Sequence, residues 1–487
     1  MDKSFLRDKI FGCWLGKNIG GTIGAPVEGW KSEPMLPLAF PGKNEPNDDL
    51  DLQLLWLAMV RKKGLDFLHD DLAEAWSGTT FRFDEYGIAI ANIERGMRPP
   101  LTGRFNNYFS ECMGCPIRSE IWAVIAANMP ETAAYYAMLD ATVDHDGESV
   151  YAEIFYAALE SMAFSAAVED LHRLIYEALA FIPADCKIAI AVNEVMDAYK
   201  NGVSASDLRR ELIRKYDFGN FSHCLINIAF TIAALVYAEG DFLKAMVGAA
   251  NFAYDADCTA ATAGAVMGIL MGADAIRKKY QVEFDERILT CGVTEDMIPF
   301  MPENINELTD WTMALHEELE KKEHKKVLEK PFRVKMHTEG QLGLQRSFAV
   351  GNFASYDEAV NAAEDCWQIH TTNSDLLTIP VEAGKKVYIR ATVRVPGATE
   401  ELRLSPDTGA PAKVWIDGKE MGGFEQRSFI TPSPHRSWCV REFVTVPESG
   451  CVVMTEVTPD ETKDLEYWLI VARADKSHEI RAEITAR

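Results

Sequence analysis

The stretch Asn251-Phe-Ala-Tyr-Asp-Ala-Asp-Cys-Thr-Ala-Ala-Thr-Ala-Gly264 sets two carboxylates, Asp255 and Asp257, one residue apart just before a run of small residues. From Ala260 to Met271 that run is apolar on all sides, which places it at the centre of an all-α domain. Alternate acids in a non-helical turn point the same way, an arrangement suited to hard cations that take oxygen ligands. A second cluster, Asn47-Asp48-Asp49-Leu-Asp51, opens another apolar run from Leu52 to Val60. Both clusters therefore start helices, where the dipole and free N–H groups favour negative charge. Either one alone is an ordinary N-cap. Together they crowd carboxylates that repel one another unless a cation or substrate neutralises them, so the pair reads as one metal site.

Working outward, glycines at 12, 16, 20 and 24 recur at helical spacing and give one smooth helix face that another backbone can approach. Pro26 ends that helix and presents Glu28 on a turn, as a candidate acid or base. No GxxxxGK[ST] accompanies the glycines, which excludes a nucleotide P-loop. Apolar residues fall at three- and four-residue steps from Leu52 to about Glu320, notably over 150–167, 171–181, 188–199, 208–213, 225–238 and 242–252. Ser204 and Asp207 form a capping-box-like start, and Gly202, Gly240 and Gly272 interrupt or end helices.

Two loops carry further candidates. Gly103-Arg-Phe-Asn106-Asn107-Tyr108, leading into Met113-Gly-Cys-Pro-Ile-Arg118-Ser-Glu120, is a polar, aromatic turn of the kind that lines sugar or base sites; a solvated loop with an Arg118–Glu120 surface pair is the other reading. Asp144-His145-Asp146-Gly147-Glu148 stands at a helix start, where acids cap well. From Leu315 to Lys330 the chain becomes a charged, exposed helix ending at Pro331, which marks a domain boundary.

Beyond it the period changes to two. Val387, Ile389, Ala391, Val393 and Val395 alternate with polar residues, and short strands with Pro and Gly turns predict an all-β sandwich over 331–487 after the all-α domain of 1–325. Segments 376–380, 414–416 before an Asp417-Gly418 turn, 443–446, 451–455 and 467–472 read as strands. Trp367, Trp415, Trp438 and Trp468 are either core or sugar-stacking residues. Every candidate catalytic residue precedes 280, so the sandwich is expected to be dispensable for the chemistry.

A net charge of −25 argues against nucleic acid and anionic membrane as partners. The longest apolar run, Leu225 to Ala238, is too short and too interrupted to span a bilayer. Ten scattered cysteines, with Cys112 and Cys115 a lone CxxC, fit a reducing compartment, and the charged N-terminus lacks a signal-peptide pattern; a cytoplasmic address is expected. No oligomeric state follows from the pattern.

Three segments in order, Gly16-x-x-x-Gly-x-x-x-Gly-Ala-Pro-Val-Glu28, Asn47-Asp-Asp49 and Asp255-x-Asp257 followed by Ala-Ala-Thr-Ala-Gly-Ala, resemble the ADP-ribosylglycohydrolases, including enzymes that reverse dinitrogenase reductase ADP-ribosylation. The resemblance covers roughly residues 8–280. Longer bacterial members are also similar at Pro46–Gln53, Met113–Trp122, Asp144–Glu148 and Tyr237–Phe242, and carry a C-terminal β domain. The resemblance implies a metal-dependent hydrolase of the glycosidic bond in an ADP-ribosyl or related ribofuranosyl substrate, small-molecule or protein-attached, with two Mg²⁺, or Mn²⁺. The implied ligands are Asn47, Asp48, Asp49, Asp255 and Asp257, with Cys258 standing where the family has a ligating Thr. Glu28, Asp48 and Asp49 are the implied catalytic residues. His145 matches a histidine near bound substrate, and Gly147, Asn106, Asn107 and Arg118 complete the expected substrate contacts. Lys17, Arg104 and Arg118 are the cations near the motifs that could receive a diphosphate. The chain departs from the family pattern at Asn47, Ala253, Ala256 and Cys258. Three alternatives stand beside this reading: a nucleosidase or pentofuranosidase, a non-catalytic sugar or nucleotide binder, and a protein whose β domain makes it chiefly a carbohydrate-binding or assembly protein.

Overall fold

The computed structural model describes residues 2–486 except 47, 79–83, 95, 106, 294–297, 299–300, 335–345, 373–375, 396–400, 426–443 and 474–481. Two compact units divide the chain: residues 1–81, 98–104 and 109–335 form one, and 82–97, 105–108 and 336–487 the other. The division is not linear, because two short pieces from the helical part of the sequence group with the strands.

The first unit is helical and centred on one pair. The helix Lys3–Gly24 starts on Asp2, whose side chain accepts from the N–H groups of Ser4 and Phe5. It runs antiparallel to the helix Ala256–Met271, with Gly12 against Gly268, Gly16 against Gly264, Gly20 against Ala260 and Gly24 against Ala256. A Cβ built on Gly16 would lie 1.9 Å from the Gly264 carbonyl oxygen, and one on Gly20 2.1 Å from that of Ala260. The small residues are thus there to let the two backbones touch. Antiparallel contact brings the C-terminal end of the first helix, with Glu28 just beyond it, to the N-terminal end of the second, with Asp255 and Asp257.

Around this pair lie further helices, including Asp48–Lys63, Pro130–Asp144, Glu148–Ala163, Lys187–Lys200, Ala205–Tyr216, Cys224–Tyr237 and Phe242–Phe252. Ser204 caps the Ala205 helix by accepting from the Asp207 N–H at 3.1 Å, as its motif predicts. Gly272, at φ 79, breaks the Ala256 helix from Ala273–Tyr280. The charged segment behaves differently from expectation: its helix, Ile305–Glu320, stops ten residues short of Lys330. Residues 321–330 carry seven charged side chains and offer too little apolar surface to hold a helix against the unit.

The second unit contains two antiparallel sheets. Its strands are β1 (Arg346–Gly351), β2 (Gln368–Thr372), β3 (Leu376–Val381), β4 (Val387–Arg394), β5 (Glu401–Thr408), β6 (Ala412–Ile416), β7 (Lys419–Phe424), β8 (Val444–Thr445), β9 (Cys451–Val457), β10 (Lys463–Arg473) and β11 (Glu483–Thr485). One sheet runs β2-β1-β4-β9-β6-β7 with β11 also on β4; the other runs β3-β10-β5-β8. Ile389 and Val393 from the first share a core with Leu404, Leu465 and Leu469 from the second, so the sheets form the expected sandwich. Asp417 and Gly418 make the β6–β7 turn with φ of 46 and 81. Trp367, Trp415 and Trp468 are buried, as core residues; Trp438 lies outside the described residues.

Candidate active site

Asp49, Asp257 and Cys258 converge: one ligand atom from each lies within 4.8 Å of the others, and all three are buried. Asp49 sits in the first turn of the Asp48–Lys63 helix, Asp257 in the first turn of Ala256–Met271, and Asp255 is the N-cap of the latter. Asp48 is half-buried beside Asp49, while Asn47 lies outside the described residues. The Asp255 N–H donates to Asn227 Oδ1 at 3.2 Å, and the nearby Ser222 works against the upward push of burial on its carboxyl.

Electrostatics show how tightly the acids are packed. Burial pushes the carboxyls of Asp49, Asp255 and Asp257 up, and the neighbouring acids push them further, Asp257 on Asp49 and both Asp255 and Glu28 on Asp257. Lys17, a buried cation beneath the cluster, pulls Asp48 and Asp49 down, yet both stay raised. Asp257 Oδ1 is buried with no hydrogen-bond partner among the described residues. Several buried carboxylate oxygens, mutually repelling and incompletely bonded, fit a hard divalent cation. Cys258 does not share that chemistry. Its thiol donates to Asp49 Oδ1 at 3.4 Å, and burial with three nearby acids keeps it protonated; a thiol is a poor ligand for Mg²⁺. Asp51 turns away from the cluster: its Oδ2 accepts the N–H groups of Cys291 (2.9 Å), Gly292 (2.6 Å) and Val293 (3.1 Å) and so anchors that loop.

Glu28 is exposed, at the end of the short 3₁₀ turn Ala25–Val27 that follows the glycine helix. The Gly29 N–H donates to Tyr254 O at 2.8 Å and the Tyr254 N–H to Trp30 O at 2.7 Å, a backbone bridge between the turn bearing Glu28 and the turn bearing Asp255. Arg209 ties the same two turns, donating from Nη2 to Lys31 O (2.8 Å) and from Nε to Phe252 O (3.1 Å). Ala253 and Tyr254 both hold positive φ, 65 and 61, to make the approach to Asp255.

The remaining candidates separate. His145 is buried, with Nδ1 2.9 Å from Asp144 Oδ1. Gly147 has φ 58, and a Cβ there would come 2.4 Å from Glu111 Oε1, so the position demands glycine. Glu148 reaches across to accept the N–H groups of Lys187 and Ile188, both at 3.0 Å, and caps that helix. Asn107 is buried in the strand-rich unit, and Asn106 lies outside the described residues.

Arg118 is a correction: it is neither a surface partner of Glu120 nor a substrate contact. Its guanidinium is completely buried and spent on Asp140 (2.7 Å), Asp144 (2.8 Å) and Gly114 O (2.8 Å). Desolvated arginine is stable only when its donors are matched, and two carboxylates match them here. Lys17 is likewise committed, to Ile117 O at 2.7 Å and Glu120 at 3.2 Å. Arg104 pairs with Asp146 at 3.2 Å.

Asn227, which holds the Asp255 N–H, went unassigned from sequence. A signal existed for Asn227, a fully buried amide in the otherwise apolar helix Cys224–Tyr237, where an unpaired polar group is costly.

A family model described as ADP-ribosylglycohydrolase matches residues 2–325, more than half of the chain. The chain belongs to the ADP-ribosylglycohydrolase family. Membership supports hydrolysis of glycosidic bonds of the ADP-ribose type, in a family that is generally metal-dependent and acts on ADP-ribosylated small molecules or proteins. Among solved structures, an ADP-ribosylglycohydrolase-related protein complex aligns with 64% of this chain and 99% of its own, at 20% identity and a TM-score of 0.43. No match is found among curated proteins. Among the described residues of this family member, no single helix is long and apolar enough to cross a membrane.

Proposed function

We propose that the protein is a metal-dependent hydrolase that cleaves the glycosidic bond of an ADP-ribosyl or related ribofuranosyl group. The observation that carries this reading is the convergence of Asp49 and Asp257 at the start of the Ala256–Met271 helix, with its N-cap Asp255 and, across a backbone bridge, the turn that bears Glu28. Asp48, Asp49, Asp255 and Asp257 would hold Mg²⁺ or Mn²⁺, two ions in the full reading. Bound there, such ions supply positive charge that orients ribose hydroxyls and offsets the crowded acids.

Glu28 is the proton carrier. It is exposed, so it can exchange a proton with water, and it stands close enough to Asp255 and Asp257 for its charge to raise both. As positive charge builds on the anomeric carbon, the Glu28 carboxylate takes the proton of the attacking water. His145, whose Nδ1 lies 2.9 Å from Asp144 Oδ1, remains a candidate for contact with the substrate. The described cysteines are free, which accords with a cytoplasmic setting.

Glu28→Gln keeps the shape and removes the proton transfer. Turnover of an ADP-ribosyl substrate should fall by about 10²-fold or more, while calorimetric affinity for Mn²⁺ and ADP-ribose stays within about twofold. Turnover equal to the parent protein would remove Glu28 from this role. EDTA should lower the melting temperature of the parent protein and leave Asp257→Asn unmoved, because a cation that binds only the folded state stabilises it.

One observation favours the second reading, a simple ribofuranoside without diphosphate. Lys17, Arg118 and Arg104 are all engaged with carboxylates of the protein itself. Comparing ADP-ribosyl, nucleoside and p-nitrophenyl ribofuranoside substrates decides between the two.

A further inference from the structure

We propose that a cavity on the helical unit, bounded by the helices Ala205–Tyr216, Cys224–Tyr237 and Phe242–Phe252, binds a compact tetrahedral oxyanion, a phosphate or sulfate group. The cavity has a volume of about 200 Å³, and its polar lining includes Arg209, Lys244, Ser206, Asn251 and Glu33. None of these is a candidate ligand of the acid cluster.

Charge is the first argument. In a chain of net charge −25, where cations are outnumbered and the buried Lys17 and Arg118 are both paired, Arg209 and Lys244 make no ion pair among the described residues. Two cations with no carboxylate in direct contact face one small cavity, opposed by the single charge of Glu33, which acts on Arg209. Glu33 also lines it, but is exposed and single, so the balance stays positive.

Donor geometry is the second. The Arg209 guanidinium is held by two backbone carbonyls, Phe252 O through Nε and Lys31 O through Nη2, which leaves Nη1 without a partner among the described residues. Asn251 Oδ1 accepts the Leu36 N–H at 2.6 Å, and this fixes the amide so that Nδ2 is its remaining donor. Ser206 Oγ accepts from Arg210 Nη1 at 2.9 Å and keeps its own proton to donate. A fixed arginine fork, an ammonium, an amide N–H and a hydroxyl are the donors that a tetrahedral oxyanion takes up, and a preorganised guanidinium loses little freedom on binding.

The test is a titration of the full-length, EDTA-treated protein with inorganic phosphate, sulfate and acetate at matched ionic strength, followed by calorimetry and thermal melting. Phosphate and sulfate should bind saturably and raise the melting temperature. Arg209→Met and Lys244→Met should each weaken them at least about tenfold, the loss expected when one charge-assisted contact is removed. Asn251→Asp, which adds a negative charge, should abolish binding, and Lys62→Met, an exposed lysine near the end of the Asp48–Lys63 helix and outside the cavity lining, should leave it unchanged. Circular dichroism checks that each variant is folded, and Lys244→Met, on an exposed side chain, carries the result if Arg209→Met is not. Equal affinities in parent, Lys244→Met and Asn251→Asp would overturn the proposal, as would an equal loss in Lys62→Met or binding of acetate alone. No metal or turnover enters the measurement, so failure of the hydrolase reading leaves its outcome intact.

Discussion

At the scale of single residues, the most consequential conformation is that of Ala253. Its φ of 65 and ψ of −147 lie where glycine is at ease and an L side chain is strained, and it is completely buried. Such strain costs about 1–3 kcal/mol and persists only when neighbours over-determine the backbone. The Gly29–Tyr254–Trp30 bridge and the Arg209 clamp supply that determination. Ala253→Gly should therefore stabilise the protein by about 1 kcal/mol, after a loss of ~0.5–1 kcal/mol for the freer unfolded chain. Urea denaturation reads this as a higher midpoint, and a lower midpoint would show that the turn is not strained. Arg118 teaches the complementary lesson: an arginine in a polar loop looks like a ligand contact from sequence. What decides its role is that Asp140 and Asp144, one helical turn apart on Pro130–Asp144, both face it.

At the scale of elements, the site depends on the closeness of two helices. Glycines 12, 16, 20 and 24 allow the backbones of Lys3–Gly24 and Ala256–Met271 to meet, and that contact sets the distance from Glu28 to Asp255 and Asp257. Neither helix can yield at Gly16, because the atom a Cβ would strike is backbone. Gly16→Ala should cost about 3 kcal/mol or more, at the upper end of overpacking effects, since the contact is with a carbonyl and not a flexible side chain. It should also weaken Mn²⁺ binding, because the helices must part. A parent-like melt with parent-like Mn²⁺ affinity would refute the claim that this pair sets the geometry. The four-residue glycine spacing announced a smooth face; its partner could be learned only in three dimensions, since several other helices are equally apolar.

At the scale of the whole molecule, the two units are interleaved in sequence. Residues 82–97 and 105–108 belong with the sandwich, where the Tyr108 ring meets Trp468 edge-on at 5.7 Å and Asn92 donates to Phe105 O at 2.8 Å. A chain ended near Glu329 would leave Tyr86, Ile88, Ile90 and Tyr108 without the rest of their unit. We expect it to melt well below the full chain and to bind a hydrophobic dye such as ANS, which revises the simple expectation that the sandwich is dispensable. A truncated protein with an unchanged melt and no dye binding would restore that expectation. By itself the sequence determined the order of a helical part and a strand part, because periods of 3.6 and 2 are local signals, and it singled out the two acid clusters at helix starts from which Asp49 and Asp257 converge. Short strands such as β1, β2 and β7, and the end of the Ile305 helix at Glu320, were hidden because their stability comes from packing and not from pattern. Only the tertiary structure decided which charges are free to act. Asp51, Lys17 and Arg118 are ordinary charged residues in the sequence, and apart from Gly114 O, four positions from Arg118, their partners lie 22 to 242 positions away, so burial and pairing there depend on how the chain folds back on itself.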